Sequence, residues 1–113
     1  MKIDKARLDE LKARWPEGIF EGGIAFTDSE EVPHAVEFLY RRPTMADVES
    51  HAKTGAKNPI AANLNLIQSL IVHPEAAPVI GEIRDFPMAF GRFVEEAVVP
   101  FFGANVAVRS RKL

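Results

Sequence analysis

The sequence passes from extended to helical character at one proline-containing junction, and this junction constrains the fold more than any other feature. The aliphatic and aromatic residues VEFLY precede it and are typical of a β-strand. Pro43 has no backbone N–H to donate and favours an extended conformation for Arg42. Thr44 can then cap a helix, with Asp47 placed near the positive end of the helix dipole. We therefore predict that a strand passes directly into a helix over residues 45–54.

A helix and a β-hairpin are predicted before the junction. Residues 4–15 place two leucines and a tryptophan on one helical face, and Pro16 ends the pattern. Residues 19–27 and 32–40 are rich in β-forming residues and are separated by a short polar loop. The glycine pair at 22–23 predicts a bend or bulge in the first strand.

Helices dominate the rest of the chain. Asn58 and Pro59 are a typical helix start, and the pattern continues to about residue 72. Shorter apolar patterns over residues 75–84 and 87–102 predict two more helices, the last made irregular by its late proline. The residues expected to face the core of the two helices after the junction are Met45, Val48, Ala52, Ile60, Leu64, Leu66, Ile67, Leu70 and Ile71.

These elements predict a single α+β domain over residues 1–103. It consists of an N-terminal helix, a β-hairpin or small antiparallel sheet, and a C-terminal bundle of about four helices. Residues 104–113 have three basic side chains and no sustained apolar periodicity, so they are expected to form a flexible basic tail.

The composition excludes several classes of protein. The 113 residues contain no cysteine, which removes disulfide scaffolds, zinc–thiolate sites and thiol catalysis. The net charge of −2 gives no general attraction to nucleic acid or to an anionic membrane. A charged N-terminus and the lack of a long apolar run predict neither a signal peptide nor a membrane span. We expect a cytoplasmic protein.

No group of residues has the spacing of a catalytic or metal site. The three histidines, at 34, 51 and 73, lie in no metal-binding motif. The paired glutamates at 30–31 and 95–96 fit solvated faces better than a general acid–base pair. The sequence therefore predicts a protein that is not an enzyme and that has no cofactor, metal or small-molecule substrate.

Two short segments are candidates for contact with a partner. Tyr40, Arg41 and Arg42 end the second strand, and Phe101 and Phe102 follow Pro100 near the end of the last helix. If that helix frays at the proline, both phenylalanines become exposed and mark a contact site. Packing of these two rings in the core is the other interpretation.

Two modes of nucleic-acid binding are weighed and disfavoured. Phe38 and Tyr40 on one strand face, followed by two arginines, have the form of a stacking platform for single strands, but the net charge is acidic. The helix–glycine–helix joint around residue 55 has the form of a helix-turn-helix. Its second helix, 59–72, has no lysine or arginine with which to contact DNA.

The span from Phe38 to Gly103 resembles the small tail assembly chaperones of bacteriophages and prophages. The resemblance rests on FLYRRPTMADVESHAK, on NPIAANLNLIQSLIVHPE and on FPMAFGRFVEEAVVPFFG. These match an aromatic strand entering an Arg-Pro-Thr junction, a leucine-rich helix ending near a proline, and a terminal helix ending near a glycine. The family often has a cysteine before that proline, where this sequence has Val72 and His73.

This resemblance implies a non-catalytic function in the cytoplasm of a bacterial host. Such chaperones are thought to bind the long helical tape-measure protein, to organise the tail-tube protein around it, and to leave the finished particle. A hairpin with a free edge also allows self-association, so we expect a homo-oligomer. The alternative hypothesis is a small helical nucleic-acid-associated or regulatory protein of a mobile element.

Overall fold

A computed structural model describes residues 1–104 and 106–113 and has the expected mixed α+β composition. Helix α1 spans Lys5–Arg14 and is capped by the Asp4 side chain, which accepts a hydrogen bond from the backbone of Ala6. Strands β1 (Ile19–Thr27) and β2 (Pro33–Arg41) pair antiparallel as the predicted hairpin.

The junction at Pro43 folds as its sequence predicts. Helix α2 (Met45–Gly55) begins with a capping box, in which Thr44 and Asp47 each accept a hydrogen bond from the other's backbone N–H. No residue of α2 is fully buried, and Met45 is 60% exposed, so the predicted buried face of this helix is wrong. The helix packs against its neighbour α3 from the surface of the domain.

The expected bulge at the glycine pair is absent, because β1 and β2 keep one register along their whole length. Gly22 is required for a different reason. A Cβ atom placed there would lie 3.0 Å from the rings of Phe38 and Tyr40 and 3.1 Å from the ring of Phe93. The glycine lets three aromatic side chains pack directly against the backbone of β1.

A third strand replaces the last part of the predicted middle helix. Helix α3 covers Pro59–Leu70, capped by Asn58, and the chain then turns into β3 (Ile71–His73). Strand β3 pairs antiparallel with β2, which makes the sheet order β1–β2–β3. The apolar residues predicted to continue the helix therefore complete the sheet instead.

The buried face of α3 agrees with the prediction in part. Leu66, Ile67 and Leu70 are buried as expected, and Leu64 is half-buried. Ile60 is instead 55% exposed, and Ala62, which was not expected in the core, is 1% exposed. The packing of α3 against α2, α4 and the helix after α4 decides which residues beside the central stripe are covered.

The C-terminal helices pack on the sheet and do not form a separate bundle. Helix α4 (Ala76–Ile83) contacts β2, and α5 (Pro87–Phe93) contacts β1. One continuous core results, with Phe38, Ile67, Ile83 and Phe90 fully buried at its centre. The expected bundle of about four helices is thus replaced by α3, α4 and α5 sharing one core with the sheet, while α2 packs on α3 outside this core.

The last helix changes its geometry before it ends. After α5 the chain forms a π-helical turn over Val94–Val98 and then a 3₁₀ turn over Val99–Phe102. Pro100 lies inside the 3₁₀ turn, where it has no N–H to donate to a regular α-helical ladder. Gly103 follows at φ 151°, a conformation that favours glycine.

The predicted tail 104–113 includes Asn105, which lies outside the described residues. Residues 106–113 have no regular secondary structure and are exposed. Within the described parts of the chain, no helix combines the length and the apolar character needed to cross a membrane.

Candidate partner-binding site

The structure brings together the two segments that the sequence analysis selected. The guanidinium carbon of Arg42 lies 5.2 Å from the centre of the Phe101 ring, a cation–π distance. Phe101 also contacts Phe20 of β1 edge-on, at 4.9 Å between ring centres. The end of β2 and the end of the last helix therefore form one surface.

Arg41 lies beside this surface, but its side chain makes its contacts within the fold. Its guanidinium donates to both carboxylate oxygens of Asp47, at 2.7 and 2.9 Å, and lies 5.5 Å from the ring centre of Trp15. The hydrogen bond from Arg41 is the main cause that lowers the pKa of Asp47 from 3.8 to about 2. The pair thus ties the end of β2 to the start of α2 in its charged form.

Tyr40, which was selected as a contact residue at the end of the strand, lies in the core and not on the surface. It is 6% exposed, and its ring lies between those of Phe20, Phe38 and Phe93, at 5.5 to 6.2 Å between ring centres. Burial raises the pKa of its hydroxyl. Phe38 is fully buried, so the two rings do not form an exposed stacking platform for bases.

Phe102 borders an apolar groove of about 230 Å³ between α2, α3 and the last helix. Phe102 is 42% exposed and Val99 is 50% exposed, while its neighbour Phe101 packs against the core. Of the two interpretations of the phenylalanine pair, core packing therefore applies to Phe101 and surface exposure applies to Phe102. The groove is lined by Pro43, Asp47, Val48, His51, Leu66, Val94, Val98, Val99 and Phe102.

Several residues of the groove were missed by the sequence analysis. Val48 was predicted to face the core, Pro43 was interpreted only as part of the junction between strand and helix, and Val99 was not singled out. The available signal was the pair of valines, Val98 and Val99, in front of Pro100. Only the tertiary fold shows that both line a groove beside α2, with Val98 buried and Val99 half exposed.

The histidines and paired glutamates do not converge on one point. His34 contacts Asp28 at 2.8 Å, where Asp28 also accepts the backbone N–H groups of Glu30 and Val32 and so holds the hairpin turn. His51 contacts the amide oxygen of Asn63 at 2.7 Å. Among residues 1–104 and 106–113, no group of three or more acidic or histidine side chains is placed to hold a metal ion.

No protein-family model matches the sequence, and no curated protein matches it. The chain is similar in structure to rbstp2171 from Bacillus stearothermophilus, which is described as an uncharacterised protein. The TM-score is 0.65 at 22% sequence identity, over 92% of this chain and 99% of that chain. The two chains therefore share a fold over nearly their whole lengths.

Proposed function

We propose that this chain is a non-catalytic assembly protein that binds an amphipathic helix of a partner in the groove beside Phe102. The groove is the observation that carries the proposal. It combines an apolar lining with two large apolar side chains, Val99 and Phe102, that are about half exposed. Exposed apolar surface of this kind is typical of sites of protein interaction.

The size and shape of the groove favour a helix over a small molecule. Its volume of about 230 Å³ is below the roughly 300–1,000 Å³ of most small-molecule pockets. It is open and has helical elements on its sides, so it suits the side chains of a bound helix spaced at i, i+3 and i+4. Insertion of one or two aliphatic side chains between Val48 and Phe102 is the expected contact.

Arg42 gives the site a charged edge. Its exposed guanidinium lies on Phe101, next in sequence to Phe102, and Arg42 precedes Pro43 of the groove. A bound helix with an acidic residue beside its apolar stripe would meet Arg42 there. Arg41 is already paired with Asp47 within the fold. In this proposal Arg42 is therefore the arginine that contacts the bound helix.

The resemblance to tail assembly chaperones suggests the partner. In this proposal the bound helix belongs to the tape-measure protein of a phage or prophage, and the chain acts in the bacterial cytoplasm before the tail-tube protein assembles. An open apolar groove on a body that carries net negative charge fits a protein that keeps long helices soluble.

The test is co-expression of this chain with the tape-measure protein encoded in the same gene cluster. We expect the long helical protein to stay soluble and to co-purify, and we expect Phe102→Asp to abolish both effects. A gene neighbourhood without tail genes, or a tape-measure protein equally soluble without this chain, would contradict the proposal. Binding to duplex DNA that weakens steeply with salt would favour the alternative, a nucleic-acid-associated protein.

A further inference from the structure

Strand β1 forms a free edge of the sheet. In the order β1–β2–β3 it pairs only with β2 among the described residues. It has nine residues, and Glu21 is its only charged side chain. Edge strands are usually protected by lysine, proline or a bulge, because their unpaired N–H and C=O groups bind other strands. Lysine and proline do not occur within Ile19–Thr27, and its register against β2 has no bulge.

Two hydrogen bonds at the ends of β1 show which of its backbone groups face outward. Arg42 donates to the carbonyl oxygen of Gly18 at 3.3 Å, and Asp28 donates to that of Val32 at 3.0 Å. Because hydrogen-bonded pairs alternate along an antiparallel ladder, the even-numbered residues between these points bond to β2. The outward-facing N–H and C=O groups belong to Ile19, Glu21, Gly23, Ala25 and Thr27. These groups make no hydrogen bond within residues 1–104 and 106–113.

The sequence of β1 is nearly the same when read from either end. In IFEGGIAFT, with Gly23 at the centre, phenylalanine lies three residues to each side and a β-branched residue lies four to each side. Two antiparallel copies with Gly23 opposite Gly23 therefore overlap over the whole strand. This register puts Glu21 opposite Ala25, so outward-facing groups meet outward-facing groups, as a ladder requires. About ten hydrogen bonds then join the strands, a number typical of protein interfaces.

The core-facing side chains of β1 fit each other in this register. Phe20 lies opposite Phe26 of the second copy, and both rings are partly exposed in the single chain. Aromatic pairs across two strands stabilise a sheet. Gly22 lies opposite Ile24 of the second copy, so the position without a side chain receives a large one. A depression of about 510 Å³ between β1 and α5 leaves room for these side chains, and its helical wall includes the small Ala89.

The charges near the edge do not oppose this pairing. Glu21 contacts the Met1 ammonium at 3.3 Å, and Glu96 beside the depression is paired with Arg92 at 2.6 Å. The symmetric register places Glu21 against Ala25 and keeps the two Glu21 carboxylates apart. A register centred on Glu21 would put these carboxylates directly opposite each other and would shorten the overlap, so it is disfavoured.

We propose that β1 pairs antiparallel with β1 of a second copy of this chain, about a two-fold axis at Gly23. The two three-stranded sheets then form one sheet of six strands. A two-fold interface must be self-complementary, and the symmetric sequence of β1 is the observation that selects a second copy as its occupant. This inference does not depend on the function proposed above, because no residue that lines the groove beside Phe102 belongs to β1.

The first experiment measures self-association of matched charge variants by sedimentation equilibrium at low salt. Ala25 is exposed and would lie opposite Glu21 of the second copy, and the two-fold axis repeats this contact. We expect Ala25→Glu to raise the dissociation constant of the dimer about tenfold, because it opposes two carboxylates twice. Ala25→Lys should not raise the dissociation constant. Ala35→Glu is the control, because Ala35 is exposed on the same face but lies in β2, one strand away from the edge.

Three outcomes of this experiment would overturn the proposal. A monomeric wild type would exclude the interface. Equal effects of Ala25→Glu and Ala25→Lys would exclude the contact with Glu21 of the second copy. An effect of Ala35→Glu as large as that of Ala25→Glu would show that the added charge acts elsewhere than at the edge.

The second experiment follows amide hydrogen exchange of the wild type by NMR, in the dimer and after dilution to the monomer. The amides of Gly22 and Ile24 bond to β2 in both states and serve as internal controls. The outward-facing amides of Glu21, Gly23 and Ala25 should exchange slowly in the dimer and rapidly in the monomer. Exchange of these three amides that is as rapid in the dimer as in the monomer overturns the proposal.

Discussion

Arg42 covers the ring of Phe101 at 5.2 Å, and this contact joins the end of the second strand to the end of the last helix. It leaves Phe102, the next residue, at the rim of the apolar groove and 42% exposed. The two rings therefore differ in their surroundings: Phe101 packs against the core, and Phe102 is exposed at the groove. The contact also places an exposed positive charge beside an apolar surface, which is the arrangement that the proposed helix-binding site needs.

The first prediction concerns the groove itself. Phe102→Asp places a charge where an apolar side chain of the bound helix would pack, so the dissociation constant for a labelled amphipathic peptide should rise at least about tenfold, as measured by fluorescence anisotropy. Met88→Asp is the matched control, because Met88 is 82% exposed and lines a different surface. Equal effects of the two variants, or no peptide binding by the wild type, would exclude the groove as the site.

The second prediction concerns the ion pair between Arg41 and Asp47. Asp47→Asn removes the charged bidentate contact and should lower the free energy of unfolding by about 1–2 kcal/mol at pH 7. Glu96→Gln, in a pair whose side chains are both 66% exposed, should change it by less than about 0.5 kcal/mol. Chemical denaturation of the three proteins measures both values.

The same pair gives a pH dependence with a defined sign. The pKa of Asp47 is about 2 in the folded state and 3.8 as its ordinary value, so the folded chain binds fewer protons than the unfolded chain between these values. The stabilisation from Asp47 is therefore complete above about pH 4 and is lost as the pH falls towards 2. The difference between wild type and Asp47→Asn should shrink over this range. A difference that stays constant down to pH 2 would show that the charge of Asp47 does not contribute.

The third prediction concerns Gly22. Gly22→Ala forces the buried rings of Phe38, Tyr40 and Phe93 to move, so it should destabilise the fold by about 1–3 kcal/mol. Gly81→Ala serves as the contrast, because its Cβ meets no atom within 4 Å in helix α4. This change should stabilise the protein by roughly 0.5–1 kcal/mol. Thermal unfolding distinguishes the two, and a Gly22→Ala protein as stable as the wild type would refute the packing role of this glycine.

The fourth prediction concerns the hairpin turn. Glu31 has a φ of 62°, a left-handed conformation that asparagine tolerates better than glutamate. Glu31→Asn should therefore raise the melting temperature, while Glu31→Val should lower it, since a β-branched residue is strained there. Glu30→Asn is the control, because Glu30 lies in the same turn and is not among the residues with positive φ. The reverse order of the two Glu31 variants would contradict the prediction.

The local features of the fold were predictable from the sequence because they depend on neighbouring residues. Asp4, Thr44 and Asn58 cap the helices that their positions indicate. Proline and glycine occur at the junctions because of their own backbone geometry. This geometry does not depend on tertiary contacts. The hairpin and its loop followed from the same kind of evidence.

The missed features depend on contacts distant in sequence. Ile71 continues an apolar helical pattern, and only the availability of β2 as a hydrogen-bonding neighbour makes it part of a strand. The exposure of Ile60 and the burial of Tyr40 are likewise set by what packs against each of them. Arg42 and Phe101 were selected for separate reasons, and their contact is a product of the tertiary fold.

The π-helical turn at Val94–Val98 has a consequence for how this surface can change in evolution. A π-turn completes about one turn of helix with one residue more than an α-helical turn, so it accommodates an extra residue without rotating the side chains that follow it. Loss of one glutamate codon within this turn would restore a regular α-helical turn and leave Phe101 and Phe102 near their present orientations. The length of the chain can therefore vary by one residue at this point while the aromatic contacts at the end of the helix are kept.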